Sequence, residues 1–322
     1  MLSSVAEKLY WMTRYLERAE DTARLINAVT LMMLDMPRES AFGWSSLLKV
    51  AGLDELFYRY HSSADETSVM HFLMQDERNP SSMMACITHA RENTRTFREV
   101  LPWESWEWVN EMYLYARKEL APVKDRRARY DVLQGIIRRR QSIVGLLAGT
   151  MSRDEVFQFL RLGRNIERAD MTTRILDVSH AVTFSADTPA GLQYNSMLWM
   201  NILKALSAYQ MYRRHVSVHA HGIEVVNFLL KDTAFPRAAA HCLGEITEVL
   251  DALPAAPQVL SAVRSLRSTI DTAPPDKFTG QVLHSFIDDV QIGLIGIDQQ
   301  IRKRYFRNHD TPAQEEAATA TQ

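Results

Sequence analysis

Glycine and proline are scarce in this chain, 12 and 11 among 322 residues. So few backbone breakers leave little room for a turn-rich β fold, and Val and Ile rarely alternate with polar residues as half-buried strands require. The two cysteines, Cys86 and Cys242, have no C-x-x-C spacing, which argues against a metal ribbon or a disulfide framework. No apolar run reaches the ~18 residues of a membrane span. No basic segment followed by an apolar run opens the chain, so no signal peptide is expected. An excess of one charge is missing too: 37 Lys and Arg face 39 Asp and Glu, for a net charge of −2. That balance gives no strong field to favour nucleic acid or an anionic membrane, and a cytoplasmic location is the default. There is no G-x-x-x-x-G-K-S/T, no G-x-G-x-x-G and no G-x-S-x-G, so neither a nucleotide loop nor a nucleophile elbow is evident. With 46% hydrophobic and 24% charged residues, the composition is that of an ordinary globular protein. It suffices for one large core, or for two halves sharing one.

What is present is a repeat. Arg14 to Arg24, RYLERAEDTAR, returns 150 residues later as Arg164 to Arg174, RNIERADMTTR, without a gap. Arg14, Glu17, Arg18, Ala19, Thr22 and Arg24 meet Arg164, Glu167, Arg168, Ala169, Thr172 and Arg174. At about 100° per residue, Leu9, Met12, Leu16, Ala19, Ala23 and Ile26 form one apolar stripe. Tyr10, Arg14, Glu17, Arg18 and Asp21 take the opposite face, with Arg24 beside them. A solvated face carrying i,i+4 pairs such as Glu20–Arg24 and Asp170–Arg174 would account for the charges at a few tenths of a kcal/mol each. Such a face, however, needs no particular charge at any particular position. The repetition points instead to two polar clusters that hold each other, a partner, or an anion gripped by arginine forks. They are expected to lie side by side and share a cluster partly open to a cleft. A Glu beside an Arg has its pKa lowered, the wrong direction for a general acid, and Arg donates no proton. Arg14, Glu17, Arg18, Arg24, Arg164, Glu167, Arg168 and Arg174 are therefore candidates for binding a ligand or partner, with no catalytic residue assigned.

A second repeated block lies at an offset of 156, where Phe72-Leu73, Asp76, Pro80 and Cys86 match Phe228-Leu229, Asp232, Pro236 and Cys242. The expectation is an all-α protein of two related halves, 1–150 and 151–308, followed by a disordered tail, 309–322. Capping boxes at Ser4–Glu7 and Ser152–Glu155 should open the two long helices, with Pro37 stopping the first and Val182 ending the second. Pro80 and Pro236 should open helices, and Leu192 to Val216 should be one helix. Turns or loops are expected at Ala121 to Val123 and Ser185 to Pro189. Trp103, Trp106 and Trp108 read as core and staple residues, the arginine runs Arg126-Arg127 and Arg138 to Arg140 as solvated, and both cysteines as buried and inert. His215, His219 and His221 lack a carboxylate at ligand spacing, so no metal or other cofactor is expected.

Taken together, LERAEDTAR, SRDEVFQFLRLGRNIERAD after Gly149-Thr150-Met151, ARENTRTFRE at Ala90 to Glu99, and NFLLKDTAFPRA at Asn227 to Ala238 resemble the bacterial alpha-E family, also called DUF403. Its name refers to an all-helical domain with an ER motif. The resemblance spans roughly residues 1–308. One departure is Pro80-Ser81, where the second half has Pro236-Arg237. Members are typically encoded near, or fused to, a circularly permuted ATP-grasp protein, often with a transglutaminase-like protease. The resemblance thus implies an accessory or substrate-presenting partner of a peptide or amide ligase system. The alternative is an enzyme in its own right, whose Arg/Glu cleft binds a carboxylate or phosphate. RNA binding through the arginine runs is a remote third.

Overall fold

The computed structural model describes residues 2–35, 43–120, 125–180 and 189–306. Among these the chain is all-α, with no strand. The first helices are α1 (Ser3–Asp35), α2 (Trp44–Ala51), α3 (Asp54–Tyr58), α4 (Glu66–Met74), α5 (Met83–Thr96), α6 (Trp103–Glu119) and α7 (Arg126–Thr150). They are followed by α8 (Glu155–Asp177), α9 (Pro189–Ala205), α10 (Tyr209–His215), α11 (Gly222–Lys231), α12 (Ala239–Ala252), α13 (Pro257–Thr272) and α14 (Gly280–Tyr305). Helices α1, α5, α6 and α7 pack in a closed ring, each touching the next; α8, α12, α13 and α14 form a second ring. The largest helix–helix contact joins them, α1 against α8. Helix α9 also lies on α1, and α2 on α8. Helices α5 and α12 begin and end 156 residues apart, the offset of the second repeated block.

The apolar stripe of α1, from Leu9 to Ile26, is buried as its period requires. So is most of the opposite face, including Tyr10, Glu17 and Asp21. Burying each large apolar side chain contributes about 1.5–3 kcal/mol, which helps offset the desolvation of the charges beside it. The long helices come closest at Gly163. A Cβ there would collide with the Tyr10 carbonyl oxygen and lie 2.6 Å from Thr13 Oγ1. Thr13 is itself the residue 150 positions before Gly163, so equivalent positions of the repeat meet at the crossing.

Several expected boundaries move, each for a local reason. Helix α1 begins at Ser3, so Ser4 lies inside it. The cap of α8 is Asp154, not Ser152, and its carboxylate accepts from the Phe157 N–H at 3.2 Å. That helix ends at Asp177, before Val182. Pro80 and Pro236 sit in turns, and their helices start three residues later. The turns are held by aspartates: Asp76 Oδ1 accepts from the Arg78 N–H at 2.9 Å, and Asp232 Oδ1 from the Ala234 N–H at 2.8 Å. Such Asx turns compete with helix for the same donors. The segment expected as one helix from Leu192 to Val216 breaks into α9 and α10 around Ser207, which adopts a left-handed φ of 54°.

Trp103, Trp106 and Trp108 are not core residues. Trp103 is 68% exposed and Trp108 is also exposed, while Trp106 packs under the guanidiniums of Arg91 and Arg98. Ser105, Val109, Met112 and Ala116 hold the inner face of α6 at helical spacing. The Pro37 stop, the Ala121 to Val123 turn, residues 185–188 of the expected loop and the 309–322 tail lie outside the described residues.

Gly163→Ala should lower stability by about 1–3 kcal/mol through overpacking at the crossing. Gly149→Ala, on an exposed face with nothing within 4 Å of its added methyl, should be neutral or stabilising by up to about 1 kcal/mol. Denaturant midpoints of both variants test the close approach, and equal midpoints would refute it.

Candidate functional site

Spacing of i, i+3 and i+4 puts Arg14, Glu17 and Arg18 on one face of α1, and Arg164, Glu167 and Arg168 on one face of α8. Because the helices cross at Thr13 and Gly163, these faces meet and pair crosswise. Arg14 Nε donates to Glu167 Oε2 at 2.8 Å, and Arg18 donates from Nε at 2.5 Å and from its second terminal nitrogen at 3.0 Å. In return Arg168 Nε donates to Glu17 Oε1 at 2.8 Å. Glu17 and Glu167 are both 0% exposed. Arg14 reaches on to Asp298 of α14 at 2.6 Å, where the Tyr10 hydroxyl also donates at 2.5 Å.

Two arginines that the candidate set omitted complete the cluster. Arg140 of α7 contacts Glu17 closely and Glu20 at 2.8 Å. Arg237 meets Asp21 at 2.6 Å, Glu20 at 3.0 Å and Glu17 at 3.1 Å. The reading of the arginine runs as solvated is therefore wrong for Arg140, which is 2% exposed. Arg129, just beyond the other run, is buried too, and with Arg126 it holds Glu66. The signal was the helical stripe Arg129, Leu133, Ile136, Arg140, Ile143 and Leu147, all buried. Arg237 is delivered by the turn anchored on Asp232, and its own carbonyl accepts from the Thr172 hydroxyl at 2.7 Å.

The remaining candidates lie at the margins. Arg24 Nε pairs with Glu20 at 2.8 Å, and a terminal nitrogen donates to Ser207 Oγ at 2.5 Å. Arg174 Nε pairs with Asp170 at 2.8 Å, and its side chain lies against Gly52. Both Ser207 and Gly52 are left-handed, with φ of 54° and 66°. Arg164 does not join Glu17. Its Nε is buried without a hydrogen-bond partner, and burial and the Arg168 charge bring its pKa down to about 10.

The electrostatics suit a brace more than an acid–base pair. Burial raises the Glu167 carboxyl, but Arg18 and Arg14 outweigh it and hold the group at about 2. Burial dominates at Asp21, raising it to about 6 against the pull of Arg237. Burial also pushes the Cys86 and Cys242 thiols up to about 12 and about 11, the condition of inert structural cysteines. The histidines do not share a helix, since α10 ends at His215. Among the described residues no three His, Cys, Asp or Glu gather as a metal site.

A family model for a predicted alpha-helical domain with a conserved ER motif matches residues 1–306. No curated protein and no solved structure matches the chain significantly. Among the described residues, no helix is long and apolar enough to cross a membrane.

Glu167→Gln and Glu17→Gln should each cost about 3–5 kcal/mol, because each leaves buried guanidiniums uncompensated. The Glu167 pairs stabilise the fold fully above pH 4.5, and that contribution is lost as pH falls toward 2, about 3 kcal/mol for this group. Asp21 has the opposite sign: its raised carboxyl favours the fold while protonated, and the advantage fades between about pH 4 and 6. Chemical denaturation across this range should show the acid loss disappear in Glu167→Gln and the second trend disappear in Asp21→Asn. A variant that follows the parent curve would refute the assignment for its residue.

Proposed function

The chain belongs to the Alpha-E family, and from that premise we propose that it is a non-catalytic partner of a circularly permuted ATP-grasp-type peptide or amide ligase, presenting or holding that enzyme's substrate. ATP-grasp enzymes join a carboxylate to an amine using ATP, chemistry for which this chain carries no recognisable module. The observation that supports an accessory role is the engagement of the family's Glu-Arg residues with one another. Glu17 and Glu167 are wholly buried and each accepts from arginines of the facing helix. A carboxylate held at about 2 is a poor proton donor at neutral pH, and arginine is none. The motif thus builds a rigid body for another protein to use. A transglutaminase-like protease is a second candidate partner on the same grounds.

The test is reconstitution with a circularly permuted ATP-grasp protein. The two should co-purify, and ATP-dependent ligation of a peptide substrate should rise at least about tenfold on adding this chain, equivalent to about 1.4 kcal/mol of barrier. Full ligase activity without it, or ligation by this chain alone with ATP, would overturn the reading.

A further inference from the structure

The two parts of the molecule differ at one place in a coordinated way. Arg237 pairs with Asp21 at 2.6 Å. In the register of the repeats, Arg237 corresponds to Ser81 and Asp21 to Met171. Both members of that ion pair are therefore replaced, by a small hydroxyl and an apolar side chain. Where Arg237 packs against the cluster, the Ser81 side has a cavity of about 230 Å³, lined by Arg18, Ser81, Asp170, Met171 and Arg174 among others.

We propose that this cavity is a binding site for a carboxylate that carries an apolar side chain, either a free amino acid or the C-terminal residue of a peptide. Three observations carry the assignment. First, two guanidiniums line the cavity with one edge already fixed. Arg18 is held on Glu167 through Nε, and one of its terminal nitrogens makes only a long 3.4 Å contact to Ser81 Oγ. Arg174 is held by Asp170 through Nε, and among the described residues its terminal nitrogens make no hydrogen bond to a side chain. Pre-oriented arginine forks match a carboxylate bidentately. Second, beside the polar Thr22, Ser81 and Asp170 the wall carries an apolar side, with Leu47, Leu73 and Met171 among its residues. That apolar side suits an aliphatic side chain. Third, the cavity lies below the ~300–1,000 Å³ of drug-sized pockets, which selects one residue-sized group. Thr22 lines it, whereas its counterpart Thr172 closes onto the Arg237 backbone.

This inference does not rest on the ligase reading and is tested without the ligase. The full chain is titrated calorimetrically with N-acetyl-leucine, N-acetyl-leucinamide, free leucine, and a pentapeptide ending in leucine with a free or amidated terminus. Saturable binding of N-acetyl-leucine is expected, with the amide at least about tenfold weaker, in line with the loss of a charge-assisted contact. Free leucine binding as well as the peptide assigns the amino acid as ligand, and binding by the free-terminus peptide alone assigns a chain end. The double variant Ser81→Arg/Met171→Asp rebuilds the Asp21–Arg237 pair in the cavity and should abolish binding without lowering the melting temperature. Arg174→Gln should weaken binding at least about tenfold, and it carries the test should the double variant fail to fold. Equal affinity for acid and amide, no saturable binding of any carboxylate in the millimolar range, or undiminished binding by Arg174→Gln would overturn the proposal.

Discussion

The exchange of carboxylates and guanidiniums between α1 and α8 is the constraint on which the rest of the structure depends. A buried carboxylate costs several kcal/mol unless it is matched by charge and hydrogen bonds. Glu167 is matched by Arg14 and Arg18 of the other helix, and Glu17 by Arg168 in return. Neither helix supplies the arginines that meet its own glutamate, although Arg140 and Arg237 also reach Glu17 from outside the pair. Sliding one helix along the other by a turn, about 5.4 Å, would part both sets of charges at once. The cluster therefore specifies register as well as adding stability, and Gly163 permits the close approach that the pairing requires. The two helical rings are built outward from that seam.

The exchange is reciprocal but not symmetric. On the Glu17 side, Glu20 and Asp21 crowd two more carboxylates into the interior, and Arg140 and Arg237 come from outside the repeated helices to meet them. On the Glu167 side, Met171 removes one carboxylate and Ser81 the matching arginine, while Asp298 engages the outer end of Arg14. The loss of the Asp21–Arg237 pair is compensated within the same shell of contacts, whereas Arg164, the counterpart of Arg14, keeps a buried Nε without a hydrogen-bond partner. Single replacements would have left a buried charge alone, and their pairing is what electrostatics in a low-dielectric interior demands.

The helical fold was legible because the chain lacks breakers and because its two repeated blocks carry their own register. Helix ends were less legible. The Asp76 and Asp232 turns continue past their prolines, and local propensity does not reveal where an Asx turn hands over to helix. On α6, composition misled where position would not have: three tryptophans suggest a core, yet the spacing of Ser105, Val109, Met112 and Ala116 already marked the inner face. Arg140 shows the same lesson in reverse. Three consecutive arginines look solvated as a run, but α7 turns about 100° per residue, so only one can point inward, and the apolar residues around it identify which. Arg237 could be seen as part of a motif. Its destination on Asp21, 216 residues away, depends on tertiary packing that no local pattern encodes.

The placement of function follows from the same electrostatics. Donors already bonded to buried carboxylates can recruit a ligand only by breaking those bonds, which costs more than most small ligands return. The Glu-Arg residues at the centre of the seam are thus poor binding groups because they are good structural ones. Free donor capacity survives where the exchange is incomplete. Arg174 keeps terminal nitrogens beyond its bond to Asp170, and Arg18 keeps one that only grazes Ser81. Both lie where the repeat has lost an arginine and its carboxylate together. In a body held by paired charges, the position at which a pair has been removed is where recognition can be added without unfolding the rest.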